Sequence, residues 1–305
     1  MKFSVSIPAY RPDYLVEAIG SVLSQTWQDW ELVLVDDCSP SDLRSLTNPF
    51  LGDERVHFYR NEKNFGAVDV VDNWNKCLEY CTGDYVICMG DDDRLLPDCL
   101  SSLARIINRH PGLGVYHSRT QIIDTKGFVV KTLEERPELE SSVEMIRARW
   151  TGRSQYIGDF CFDASLLKKN GGFMKFPLAW GADDVSAYIA AKGDEPFMPD
   201  GIANSNVPGF QYRESGISIS SGAAYRLKLE SLLLCADWFR TDFFNRGEDT
   251  DELEIKFRSF SKYYIRKDAS VASDAIVYWL KRRTSTKLCA LETIWLCLKG
   301  MISKR

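Results

Sequence analysis

Within the first 118 residues, short apolar runs alternate with segments of helical periodicity, and few architectures accept that order. "FSVSIP" (3–8) is apolar and β-branched, and Pro8 ends it. Leu15, Ala18, Ile19, Val22 and Leu23 then recur at helical spacing, with Asp13 placed to cap the helix. "ELVLVDD" (31–37) reads as a second buried strand and "RVHFYR" (55–60) as a weaker third. Val70, Val71, Trp74, Cys77, Leu78 and Cys81 mark another amphipathic helix, "DYVICMG" (84–90) another strand, Pro97 to about Arg109 a helix, and "LGVYHS" (113–118) a strand. Strands that are apolar almost throughout, each followed by a helix, predict a mostly parallel α/β sheet covered on both faces. With 305 residues, 45% of them hydrophobic, the chain can bury such a core.

In sheets of this kind ligands sit outside the carboxyl ends of the strands. Those ends are polar here: Ala9-Tyr10-Arg11 after the first strand, Asp36-Asp37 after the second, Asp91-Asp92-Asp93 after the one at 84–90. Five carboxylates on one rim raise each other's pKa unless a cation offsets the field. A hard divalent ion held through oxygen, Mg²⁺ or Mn²⁺, meets that need and commonly carries substrate phosphates. The plainer alternative is a solvated acidic loop with Asp93 capping the next helix. The glycine loops that cradle phosphate, GxxxxGK[ST] and GxGxxG, are absent, as are HExxH and GxSxG, and there are only three histidines. Phosphate handling therefore falls to a metal and to Arg or Lys. A net charge of −5 argues against nucleic acid as a partner. Nine scattered cysteines without a CxxC pair suit a reducing cytoplasm, and Cys77 and Cys81, four apart, read as core filling. "MKFSVSIPAY" lacks the apolar length of a signal peptide, and no run reaches a membrane span, so a cytoplasmic location is expected.

The segment "SIPAYRPDYLVEAIGSVLSQTWQDWELVLVDDCSPSD" (6–42) resembles the opening of the family 2 nucleotide-sugar glycosyltransferases of the GT-A fold. The shared pieces are a strand ending in Pro-x-Tyr, a helix ending in Gln25-Thr26, and a strand ending in Val35-Asp36-Asp37 with Ser39 two residues on. Residues 61–97 continue the likeness through Asn64-x-Gly66, Asn73-Trp74-Asn75, Thr82-Gly83-Asp84-Tyr85 and the acidic cluster. The resemblance implies a GT-A domain over 1–222 and a helical C-terminal extension over 223–305. It implies that Pro8, Ala9, Tyr10 and Asn64 line the nucleotide pocket, that Asp37 accepts a hydrogen bond from the base, and that Asp91 lies near the ribose. Asp92 is then the direct ligand of Mn²⁺ or Mg²⁺, with Asp93 beside it. Many members carry Asp-x-Asp-Asp here; Gly90 stands in the place of the first Asp.

Sugar transfer from a nucleotide diphosphate needs a counter-charge for the leaving group and a base for the attacking hydroxyl. "PLAWGADDVSAYIAAKGD" (177–194) opens a helix on Asp183-Asp184 where family members carry Glu-Asp. The resemblance makes Asp184 the catalytic base with Asp183 as the acid that keeps it basic; without it, the pair reads equally well as acids favoured at a helix N-terminus. "PGFQYRESGISIS" (208–220) resembles the family's mobile loop whose basic residue reaches the diphosphate, here Arg213, with Ser218 or Ser220 nearby; an ordinary surface arginine is the alternative. The Gln-x-x-Arg-Trp signature of processive synthases is absent, which implies one sugar per encounter.

From about Ala223 the pattern is helical, with runs at 251–265 and 269–283. Residues 281–305 carry seven basic side chains and one acid around "LCALETIWLCLKGMI", either a membrane-surface anchor or a helix packed on its own domain. The expected donor is a nucleotide-diphosphate sugar, a UDP-sugar first. The expected acceptor is a saccharide or lipid-linked saccharide, as in bacterial surface polysaccharide synthesis at the inner membrane face, its pocket built by residues 140–180. A nucleotidyltransferase and a non-catalytic nucleotide-sugar-binding protein are the rival readings.

Overall fold

A computed structural model of the chain describes residues 1–194, 196–216 and 224–267. In chain order the elements are β1 (Phe3–Ala9), α1 (Leu15–Leu23), β2 (Trp30–Asp36), α2 (Leu43–Thr47), β3 (Val56–Arg60), α3 (Val70–Tyr80), β4 (Tyr85–Cys88), β5 (Arg94–Leu95) and α4 (Cys99–Arg109). They continue with β6 (Val115–Ile123), β7 (Val129–Thr132), β8 (Leu139–Glu140), α5 (Ser142–Trp150), β9 (Phe160–Asp163), α6 (Ala164–Lys169), α7 (Ala182–Ala191), β10 (Ile202–Arg213), α8 (Tyr225–Arg246) and α9 (Asp251–Lys267).

One sheet runs β3-β2-β1-β4-β9-β6-β10-β5, with β7 beside β6 and β8 beside β10. β1 through β4 pair in parallel, as the alternation predicts. The short β9 enters antiparallel between β4 and β6. Its four residues, Phe-Cys-Phe-Asp, are too few to show a period, so no sequence pattern separates them from a buried turn. The strand expected at 113–118 runs on to Ile123 because β10 pairs with it in parallel along that length.

Every position of β2 is buried. Leu32 and Leu34 point into one apolar layer, with Ile7 of β1, Ile19 of α1 and Leu103 of α4. Val33 and Val35 point into the other, with Trp74 of α3, Tyr188 of α7 and Phe239 of α8. This two-sided burial is why the strand is apolar at consecutive positions, and each such side chain contributes about 1.5–3 kcal/mol of transfer free energy. The cap of α1 differs from expectation: Tyr14 holds the cap position without a side-chain hydrogen bond, and Asp13 lies one residue ahead of it.

α8 and α9 share the second apolar layer. Trp150 of α5 meets Phe239 edge-on at 5.2 Å, and Tyr188 meets the same ring at 5.2 Å. The expected helix at 269–283 and the basic segment 281–305 lie outside the described residues. Among the described residues no helix is long and apolar enough to cross a membrane.

Candidate functional site

The parallel register sets Ala9 opposite Asp36 and Ser6 opposite Cys88, so the exits of β1, β2 and β4 share one edge of the sheet. A cavity of about 590 Å³ opens there. Pro8, Tyr10, Asp37, Asn64 and Asp91–Asp93 all line it, and Ala9 sits fully buried at the strand end behind them.

The three exits are tied together. The Asp91 carboxylate accepts the backbone N–H groups of Tyr10 and Arg11 at 2.8 and 2.7 Å, which fixes the turn after β1 against the turn after β4. Burial nevertheless pushes Asp91 up to about 6. The Asp37 carboxylate accepts from Asn61 Nδ2 at 2.9 Å, Asn64 Nδ2 at 3.2 Å and the Phe65 N–H at 3.1 Å. Asn64 also donates to the Asp37 carbonyl, so the Asn-x-Gly turn closes on the end of β2. Asp36 does not join the rim. It is buried, pairs with Arg60 and accepts the Ser39 N–H, so four carboxylates rather than five gather there.

Asp92 and Asp93 differ from each other. Asp92 is partly exposed, and its carboxylate accepts the Ser215 hydroxyl at 3.1 Å. Asp93 is buried, with one oxygen on the Arg213 N–H at 2.9 Å. Burial raises both, and for Asp93 the neighbouring Asp92 charge adds to it. Gly90 explains the missing first Asp: a Cβ there would lie 2.8 Å from an Asp93 carboxylate oxygen and 3.1 Å from one of Asp92. The two carboxylates fold back over the glycine and occupy the space a side chain would take. Among the described residues no group of three or more His, Cys, Asp or Glu side chains is arranged so as to hold a metal ion by itself. An oxygen-only rim whose Asp92 carboxylate is partly exposed still fits a hard divalent ion, which typically takes one or two carboxylates and completes its shell with substrate phosphate and water.

A separate element brings the acid pair. Leu178 and Ala179 have φ of 58° and 55°, a left-handed conformation that non-glycine residues hold only under constraint, and Gly181 follows at 95°. This turn feeds α7, whose first residues include Asp183 and Asp184. Asp184 is 6% exposed and fully engaged: its Oδ1 accepts Arg149 Nε and Gln155 Nε2, each at 2.8 Å, and its Oδ2 faces the Lys256 ammonium at 3.8 Å. Burial opposes its ionisation, but Arg149 and Lys256 win and hold it below the usual carboxylate range. Asp183 is partly exposed on the cavity wall, and burial together with the Asp184 charge pushes it up to about 7.

Arg213 stands apart from its expected place. It is the last residue of β10, 1% exposed, and is not on the cavity wall. Its guanidinium donates to the Asp92 carbonyl at 2.7 Å, the Asp124 carbonyl at 3.1 Å and Glu17 at 2.6 Å, and lies over the Tyr14 ring. With every arm occupied it braces the acidic turn from behind, because the strand carries it into the sheet edge instead of releasing it to a loop. Ser218 and Ser220 lie outside the described residues. Among the described residues the cations on the cavity wall are Arg11, which the sequence places at the polar exit of the first strand, and Arg149 and Lys256, which sequence reasoning did not mark. Arg149 ends an unremarkable amphipathic helix, and Lys256 is one charge among many on α9; only the fold brings them to Asp184. The cavity also takes Gln155 and Tyr156 from the 140–180 region, and Leu232 and Phe260 from α8 and α9.

Comparison with known proteins bears on the family and the fold. A Bacillus subtilis protein described as a putative teichuronic acid biosynthesis glycosyltransferase, TuaG, is 37% identical over 99 residues, 32% of this chain and 38% of its own length. A Campylobacter jejuni protein described as a GalNAc(5)-diNAcBac-PP-undecaprenol beta-1,3-glucosyltransferase is 32% identical over 159 residues, 50% of this chain and 49% of its own length. The chain thus matches less than half of each of these relatives. The crystal structure of Staphylococcus aureus TarS 1-349 in complex with UDP-GlcNAc superposes with a TM-score of 0.61, covering 100% of this chain and 93% of that one at 16% identity, which shows a shared GT-A fold. Residues 4–170, more than half of the chain, match the family model for glycosyl transferase family 2, and the protein belongs to that family.

Proposed function

We propose that the protein transfers a single sugar from a nucleotide-diphosphate donor, a UDP-sugar first, to an acceptor hydroxyl with inversion, in the assembly of a bacterial surface polysaccharide. The observation that carries this reading is one cavity lined both by a carboxylate rim at the strand ends and, from a separate element, by the Asp183 carboxylate, which burial and the Asp184 charge push upward.

Pro8 and Tyr10 would flank the nucleotide, and Asp37 would exchange one of its amide partners for an N–H of the base. Asp91 holds the turn that carries Tyr10 and Arg11. Asp92, with Asp93 behind it, would hold Mg²⁺ or Mn²⁺; that ion supplies counter-charge to the leaving diphosphate. Arg11 adds a cation on the same wall. We assign the proton-accepting role to Asp183 and not to Asp184. A base must be accessible, and its pKa should lie near the working pH; Asp183 meets both conditions, whereas Asp184 is buried, ionised and already bonded. General-base help of this kind is worth about 10²–10⁴ in rate. The relatives named for teichuronic acid and undecaprenol-linked saccharides support a lipid-linked or polymeric acceptor, and the basic segment 281–305 would bring the enzyme to the inner membrane face.

A thermal-shift panel of UDP-, GDP- and dTDP-sugars, each with and without Mn²⁺, tests the donor half. At least one nucleotide sugar should raise the melting temperature further when Mn²⁺ is present, and Asp92→Asn should remove the metal-dependent part. No shift with any nucleotide sugar, or an unchanged metal effect in the variant, would contradict it. Binding without turnover would instead favour a non-catalytic nucleotide-sugar-binding protein.

A further inference from the structure

The turn that carries the acid pair is held in place by the C-terminal helices. Ser231 of α8 donates its hydroxyl to the Trp180 carbonyl at 2.8 Å, and the Lys228 ammonium lies 4.9 Å from the centre of the Trp180 ring. A Cβ on Gly181 would come within 2.9 Å of Cys235 Sγ, so α8 presses directly on the glycine that starts α7. α9 adds one side chain of a different kind. Lys256 is 10% exposed in a region of mixed charge, donates to the Arg149 carbonyl at 3.1 Å and stands 3.8 Å from Asp184 Oδ2. A lysine this deeply buried pays a desolvation cost that its partners must offset. Its partners are the backbone of the residue that grips Asp184 and Asp184 itself.

We propose that Lys256, delivered from α9, is a positioning residue of the transfer reaction: with Arg149 it fixes Asp184, and Asp184 so fixed presents Asp183 to the acceptor hydroxyl. This rests on the assignment of Asp183 as the base. The charged and titratable groups around Asp183 are Asp184 on its own helix, Arg149 from α5, Asp159 from the turn before β9, and Lys256 and Cys235 from α9 and α8. Two cations, Arg149 and Lys256, and two carboxylates, Asp184 and Asp159, thus set its proton affinity. The Cys235 thiol, pushed well up by burial, stays neutral. Burial brings Lys256 down to about 8, still protonated where Asp183 titrates. Removing Lys256 takes away a positive charge that favours the ionised carboxylate, so Asp183 then titrates at higher pH.

The experiment compares wild type, K256M, K256Q, K256R and D183N. It uses the sugar nucleotide that gives the largest thermal shift among UDP-, GDP- and dTDP-sugars, and reads donor Kd, kcat and the pH dependence of kcat/KM for release of the nucleoside diphosphate. K256M and K256Q should keep the donor Kd, lower kcat about tenfold and move the acid limb of the profile up by about half a unit or more. K256R, which keeps the charge, should recover most of kcat and the wild-type limb. Melting curves of all variants record whether the helix pair stays folded, and if K256M unfolds, the K256Q and K256R pair reads the same quantities. An unmoved limb in both K256Q and K256R, with kcat near wild type, overturns the role of Lys256 while an inactive D183N leaves the base assignment standing. A loss of donor affinity that accounts for the whole loss of rate also overturns it, because Lys256 would then be a donor contact. An active D183N rejects the base, and the positioning role falls with it.

Discussion

At the scale of single residues, the acid pair shows how identical side chains part ways. Asp183 and Asp184 are adjacent and share a helix start, yet one is pushed up to about 7 and the other is held low. The difference comes from Arg149, Gln155 and Lys256, which surround Asp184 alone at hydrogen-bond or ion-pair distance. The consequence for stability has a definite sign. A carboxyl whose folded pKa is raised binds its proton more tightly in the native state, so its stabilising contribution is present at low pH and is lost as pH rises through about 7. Asp183→Asn removes that liability. The variant should therefore melt higher than wild type at pH 8, by a few degrees, with the gap closing towards pH 5; equal melting temperatures at both pH values would show that Asp183 is not raised. The Asp-Asp pair itself was legible in the sequence. Its division of labour was not, because the partners that decide it come from α5, the loop after it and α9, with nothing in their local sequence to announce them.

At the scale of elements, the strand exits form the carboxylate rim, and each is pinned by its neighbours. β1 is tied to the β4 exit through Asp91, the end of β2 to the turn after β3 through Asn64, and β4 to β10 through Arg213. The run of three aspartates is thereby split into distinct tasks: Asp91 anchors backbone, Asp93 anchors the end of β10, and Asp92 remains accessible. Gly90 makes the arrangement fit. Gly90→Ala puts a methyl group where the Asp93 carboxylate lies, so it should cost about 1–3 kcal/mol of stability and weaken nucleotide-sugar affinity; a folded variant with wild-type melting temperature and affinity would contradict the packing described here. The alternation of strand and helix, and the polar strand exits, could be read directly because burial on both faces forces apolar residues at consecutive positions. Arg213 could not be placed that way. Whether a basic residue after a strand is released to a loop or locked by Glu17 and three carbonyls depends on contacts from distant parts of the chain.

At the scale of the molecule, the sheet separates two apolar layers, and the C-terminal helices belong to the one that also holds α5 and α7. The family match ends at residue 170, before the acid pair and before α8 and α9. The carboxylate rim at the strand exits is thus built within the matched region, together with Arg149 and Gln155, whereas Asp183, Asp184 and Lys256 lie beyond it. That division is why the rim at the strand exits was readable from motifs and the surroundings of the acid pair were not. The whole account turns on two sets of acids with separable duties in one cavity. The most direct test is a paired measurement on Asp183→Asn and Asp184→Asn: donor Kd by titration, and the rate of nucleoside-diphosphate release from the bound sugar nucleotide, from pH 5 to pH 9. Asp183→Asn should retain donor affinity, lose about 10²–10⁴ in rate and lack the rise in rate through about pH 7 expected of wild type. A D183N enzyme that keeps wild-type rate and pH dependence, while D184N loses both, would contradict it.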